Sequence, residues 1–140
     1  MQNQQQKHGG RTGIAAVEFA IVLPLVLLLI LGSIEISRVI SVQHALQEAS
    51  LTGCRLYAVS EKSQADATNI IDLSLAAAGI TGYTISYTPA TKNEIDTILE
   101  PVTVTISVPY SSISLGTERI MSNSTVTASA TLPADVQLGI

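Results

Sequence analysis

Residues 14–34 read IAAVEFAIVLPLVLLLILGSI, an apolar run that carries a single charge, Glu18, and follows directly on Gly13. As a helix rising about 1.5 Å per residue, the run reaches roughly 31 Å, the hydrocarbon thickness of a bilayer. A cleaved secretory signal, a membrane span and a buried helix of a globular domain all begin with such a run. A signal wants a shorter apolar core and a small-x-small cleavage site after it. Here the chain continues Leu31, Gly32, Ser33, Ile34, Glu35 and stays compatible with a helix. The stretch therefore reads as a transmembrane helix over 14–34. Pro24 within it removes one backbone N–H and predicts a local kink, which membrane helices tolerate.

Charge sets the expected orientation. Lys7 and Arg11 precede the span, while ten acids and five bases follow it, so the N-terminus is expected in the cytoplasm and the rest outside. Residues 1–13, rich in Gln and Gly with no apolar period, read as a short leader without fixed structure. Residues 35–140 are enough for one modest core and no more. The net charge of −4 and the absence of clustered Lys and Arg disfavour a nucleic-acid surface. His8 and His44 lie too far apart for metal-ligand spacing, and no cofactor or small-molecule substrate is indicated.

Glu18 is expensive where it stands, at about 2 to 3 kcal/mol on insertion scales. Two readings explain it. The carboxylate snorkels to the headgroups, or it pairs with a positive charge made by processing. If a membrane-embedded peptidase cut between Gly13 and Ile14, the new α-amine of Ile14 would lie one helical turn from Glu18, on the same face. That amine belongs to the same chain or to a neighbouring subunit.

Beyond the span, Val39, Val42, Leu46, Ala49, Gly53 and Leu56 recur at spacings of three and four. They predict that the helix continues, about forty-five residues in all, with a heptad-like stripe that serves either as core contact or as a coiled-coil seam. The small members, Ala49 and Gly53, invite close approach of another element. Ser63 with Asp66 reads as a capping box that opens a second, short helix, which ends at Gly79. Three alternating segments follow, around Tyr83–Thr88, Val102–Tyr110 and Thr125–Leu132. Each sets apolar residues against Thr and Ser, as an antiparallel sheet does with one face on the core and one toward water or a partner. Pro109 is expected at an edge or beyond the ladder. Asn93 is expected to cap a short helical turn through Glu94, Ile95, Ile98 and Leu99. Residues 111–124 are either a satellite of the core or a partner-facing loop.

Little in the chain reads as catalytic. His44 and Glu48 stand one turn apart without a nucleophile or a third orienting group. Cys54 is either a small buried hydrophobe beside Gly53 or an intermolecular disulfide partner.

The string GIAAVEFAIVLP from Gly13 to Pro24, followed by Glu35, Arg38, Gln43, Ala49, Gly53 and Arg55 in EISRVISVQHALQEASLTGCR, resembles the TadE-like pseudopilins of the tight-adherence (Flp-type) pilus system. VTVTISVPY, residues 102–110, is similar to that family's strand signature. The resemblance implies an α+β, pilin-like fold: a long N-terminal helix, a second short helix and a small antiparallel sheet of about three strands. It implies cleavage by a prepilin peptidase between Gly13 and Ile14, with Glu18 as the glutamate at the fifth mature position. Phe19 stands where the major Flp pilins carry Tyr, as in the pseudopilin branch, and Cys54 where Ala is usual.

The leading expectation is thus a non-enzymatic minor pilus subunit in the inner membrane, with prepilin peptidase, other pilins and pseudopilins, pilus assembly proteins and membrane lipid as partners. The stripe and the Thr-rich sheet face are its candidate contacts. The runner-up is an unprocessed single-pass anchor whose outer domain binds a partner. A secreted enzyme, the third reading, requires a soluble product that starts after residue 33.

Overall fold

The computed structural model describes residues 11–95, 97–114 and 123–135. The elements run α1 (Arg11–Ala58), α2 (Gln64–Ala77), β1 (Thr84–Thr88), β2 (Pro101–Pro109) and β3 (Thr125–Pro133), an α+β chain with the predicted elements in the predicted order. Contacts divide it into Met1–Ile36 and Ser37–Ile140.

In the first unit, every described side chain from residue 13 to 34 is exposed. A helix apolar on all sides has no face to offer water and belongs in lipid. α1 runs through Pro24 without interruption. It already includes residues 11–13, part of the stretch read as a leader.

The second unit holds the core. Along α1, Val42, Leu46, Ala49, Ser50, Gly53, Cys54, Tyr57 and Ala58 are buried, while Val39 and Leu56 are half-buried against them. The predicted stripe is there, as core contact. It drifts at its far end, where Tyr57 takes the inward position that a strict heptad assigns to Leu56. A straight helix slips about 20° per heptad, and here it turns Tyr57 inward.

Gly53 packs directly against α2. A Cβ on it would lie 2.3 Å from Ile71 Cδ1 and 2.5 Å from Ile71 Cγ1 of α2. Any side chain there displaces a fully buried neighbour. α2 itself is punctuated as predicted. Ser63 is its N-cap, accepting from the Asp66 N–H at 3.1 Å while its own N–H donates to the Asp66 carboxylate at 2.9 Å. At the other end, Gly79 sits at φ +69, with Gly79 N–H on Ala76 O at 3.0 Å and Ile80 N–H on Leu75 O at 2.9 Å. That is a Schellman close, and buried Ile80 supplies its hydrophobic contact.

The sheet is a meander, β1-β2-β3, antiparallel throughout. Its apolar rows, Ile85–Ile106–Ala128 and Tyr87–Val104–Ala130, join the core, and Val102, Val104, Ile106 and Val108 are all buried. Pro109 ends β2 opposite Thr125, two residues past the last β1 pair at Ser107, so its missing donor breaks no bond on the β1 side. Tyrosines lace β1 to the helices. The Tyr57 and Tyr87 rings lie 4.7 Å apart, the Tyr87 hydroxyl meets Thr68 at 2.8 Å, and Tyr83 donates to Asp72 at 2.6 Å.

The turn after β1 differs from the reading. A 3₁₀ turn spans Lys92–Glu94 behind Thr91, not Asn93, and Thr91 Oγ1 bonds Glu94 at 2.9 Å. Ile98 and Leu99 fall outside it in an exposed bend, with Leu99 at φ +67. What holds the turn is Lys92, whose ammonium reaches back to the Val59 and Lys62 carbonyls beyond the end of α1. Of the 111–124 segment, Ile113 is buried, as a core satellite should be; residues 115–122 lie outside the described residues.

Two tests follow from this core. Gly53→Val should cost about 1–3 kcal/mol by overpacking, seen as a lower thermal midpoint of the full chain in detergent. Adding Ile71→Ala should recover part of that loss, and strictly additive costs would show that the two residues do not meet. The second concerns Tyr83, whose phenol is pushed up to about 12, first by its hydrogen bond to Asp72. A raised folded-state value contributes stability that is complete below the ordinary tyrosine range near 10 and is lost as pH rises toward 12. Spectroscopic titration of tyrosinate should lose this late-ionising group in Asp72→Asn; an unchanged titration would contradict the bond.

Candidate processing and assembly site

Gly13, Ile14 and Glu18 fall together in the first two turns of α1, and Ile14 and Glu18 are four residues apart on one face. Ile14 is 63% exposed and Glu18 is exposed as well. A Cβ on Gly13 would meet nothing within 4 Å. Among the described residues nothing crowds this position, so no contact there requires it to be small. Glu18 is the only charge between Gly13 and Ile34. Chemically the arrangement is a carboxylate one turn into an apolar helix, placed to pair with a cation at the helix start.

The two candidate contact faces separate. The stripe on α1 is consumed by the core: Leu46, Ala49 and Cys54 have no exposed surface. It is therefore corrected from a subunit contact to an intrachain one, because Gly53 and Ala49 admit α2 and the sheet instead of a second subunit. The hydroxyl face is open. Its register makes three rows of three, Thr84–Ser107–Thr127, Ser86–Thr105–Ser129 and Thr88–Thr103–Thr131. Thr103 and Thr131 share a hydrogen bond at 2.8 Å, Ser107 and Thr127 one at 3.1 Å. Cross-strand pairs of this kind stabilise the sheet while spending part of the hydroxyls' capacity for other partners.

Cys54 is buried and unpaired, with its thiol toward the Val102 carbonyl at 3.4 Å. Burial pushes the thiol up, away from the reactive thiolate. It is the buried small hydrophobe of the two readings. His44 and Glu48 are both exposed on α1. Among the described residues, no three His, Cys, Asp or Glu side chains gather where they could hold a metal ion.

Sequence reading passed over three positioning residues. Gln43 donates its amide to the Thr127 carbonyl at 3.1 Å and ties α1 to the edge strand β3. Tyr57 donates to the Pro89 carbonyl at 2.8 Å. Lys92 lies 5.8 Å from the Tyr57 ring centre, and burial lowers its ammonium from the ordinary lysine range. Each contact spans more than 30 residues of sequence, and no local period signals it. Gln43 alone carried a signal, as one of the polar residues in the quoted family string.

Residues 13–55 match the family of TadE-like proteins. The match covers nearly all of α1, so this segment is similar to TadE-like proteins, and it includes Gly13, Glu18, Gln43 and Gly53. No curated protein and no solved structure matches the chain.

Proposed function

We propose that this chain, TadE-like over residues 13–55, is a pseudopilin: a minor structural or assembly subunit of a tight-adherence pilus, matured by a prepilin peptidase between Gly13 and Ile14. The observation that carries the reading is the pairing of Ile14 and Glu18 on one turn of a helix that is apolar on all sides. Cleavage would turn Ile14 into a cation beside the one carboxylate of the span, and each charge then lowers the other's cost in lipid. The amine also sits at the positive end of the α1 dipole, which favours Glu18 there and makes a negative partner for the amine necessary.

Gly13 supports the same reading. A peptidase needs extended backbone at the bond it cuts, and glycine adopts extended and left-handed conformations readily. The first turn of α1 holds the fewest intrahelical bonds, so opening it sacrifices little. Mature α1 would then begin at Ile14, in the membrane, with residues 35–140 outside and the N-terminus at the cytoplasmic side. There the chain meets other pilins, pseudopilins and pilus assembly proteins, and its outer surface contributes to adhesion.

A second reading, an unprocessed single-pass anchor with an outer interaction domain, is favoured by one observation: α1 continues back to Arg11 across the proposed cut. One bond separates the two. Intact mass and N-terminal sequencing of the membrane form should show Ile14 first, and an intact leader would refute processing. Gly13→Phe should leave only the longer form, although the fold accommodates the ring. Glu18→Ala should yield a stable, matured membrane protein that lowers piliation at least about tenfold, the loss of one close charge pair in low dielectric. Normal piliation by that variant would return Glu18 to a snorkelling carboxylate.

A further inference from the structure

A cavity of about 300 Å³ lies within residues 37–140, bounded by Arg38 and Ser41 of α1, by Ala78 and Gly79 at the end of α2, and by Ser112 after β2. Its two ends differ in charge. Arg38 supplies a permanent cation with a planar, phosphate-matching fork of donors. It is the only Lys or Arg between Arg11 and Arg55. The α2 C-terminus supplies the opposite sign, about half a negative charge on its last carbonyls. The capping bonds occupy the carbonyls of Ser74, Leu75 and Ala76, so that negative end falls on Ala77 and Ala78. Ser41 Oγ donates to the Ser37 carbonyl at 2.9 Å, which leaves its oxygen to accept from a ligand.

Depth identifies the ligand. Arg38 lies four residues past Ile34, the end of the span, about 6 Å further along the helix axis. The headgroup layer on each side of the hydrocarbon is roughly 5–8 Å thick. A span ending at Ile34 would bring this turn of α1 to the level of lipid phosphates. We propose that this cavity binds the zwitterionic headgroup of an aminophospholipid, its phosphate on Arg38 and its ammonium toward the α2 C-terminus and the serine hydroxyls. Free phosphate offers only the first half of that chemistry. The site needs the membrane span alone and goes beyond pilus assembly, since it stands whether or not the chain is processed.

The test uses the full chain in vesicles of phosphatidylethanolamine, phosphatidylglycerol and phosphatidylcholine in equal parts, with retained lipid counted by native mass spectrometry after transfer to detergent. The wild type should keep phosphatidylethanolamine over phosphatidylglycerol, which has no ammonium, and over phosphatidylcholine, whose ammonium cannot donate. Arg38→Gln, at an exposed position, should retain about tenfold less, as loss of a charge-assisted hydrogen bond predicts. Arg55→Gln should retain as much as the wild type. Equal retention of all three lipids, or identical retention by Arg38→Gln, would overturn the site. Displacement of the lipid by millimolar inorganic phosphate would reassign it to a soluble anion and overturn it as a lipid site. Carbonate extraction separates the failures: a chain stripped from the vesicles refutes the span and the site together, whereas one that stays without selectivity refutes the site alone.

Discussion

The close approach of α1 to α2 at Gly53 is the contact on which the outer domain depends. With Ile71 deep inside van der Waals contact of any side chain at that position, only glycine lets the two helices meet here without displacing it. Glycine inside a helix is costly, by about 1 kcal/mol relative to alanine, and the exchange is favourable because it buries Ile71, Leu75 and Ala67 completely. The sheet then closes the other side, through Val102, Val104 and Ile106. Satisfied polar contacts fix this arrangement at its margins: Gln43 on β3, Tyr57 on the Pro89 carbonyl, Lys92 on the carbonyls beyond α1.

That constraint divides the labour along α1. From Val42 onward the helix has one inward face, and that face is spent on its own domain. From Gly13 to Ile34 it has no inward face at all, and the apolar surface is left for lipid and for other chains. The exposed apolar surface thus gives way to a one-sided, core-facing helix between Ile34 and Val42. The TadE-like match, from 13 to 55, runs across both regimes. It includes both Glu18, exposed in the apolar run, and Gly53, packed against Ile71.

Much of this was legible in the chain because the signals are local and periodic. The capping box at Ser63 and Asp66, the Gly79 stop and the three alternating strands each declare themselves within a few residues. The inward stripe on α1 was legible in outline and imprecise at Tyr57, because a 3.5-residue period and a 3.6-residue helix diverge over four turns. Its use was harder to read, since an apolar stripe looks the same whether it meets its own domain or another subunit. The reach of Lys92 was hidden for a different reason: it connects segments about 30 residues apart through a single side chain. Strand order likewise left no trace in any one strand. At the candidate site, spacing drew attention to Gly13, Ile14 and Glu18 but left two readings of the carboxylate open, and the family resemblance favoured the one with a cut between Gly13 and Ile14.

Residue-by-residue spin labelling of α1 in dilute vesicles, in a Cys54→Ala background, tests the division of that helix most directly. Labels from Val17 to Ser33 should be accessible to lipid-dissolved oxygen on every face. From Val42 to Tyr57 mobility should follow a 3.6-residue period, restricted at Leu46 and Ala49 and free at Glu48 and Arg55. Lipid accessibility that continued without a period to Tyr57, or a protected face between Val17 and Ser33, would contradict it.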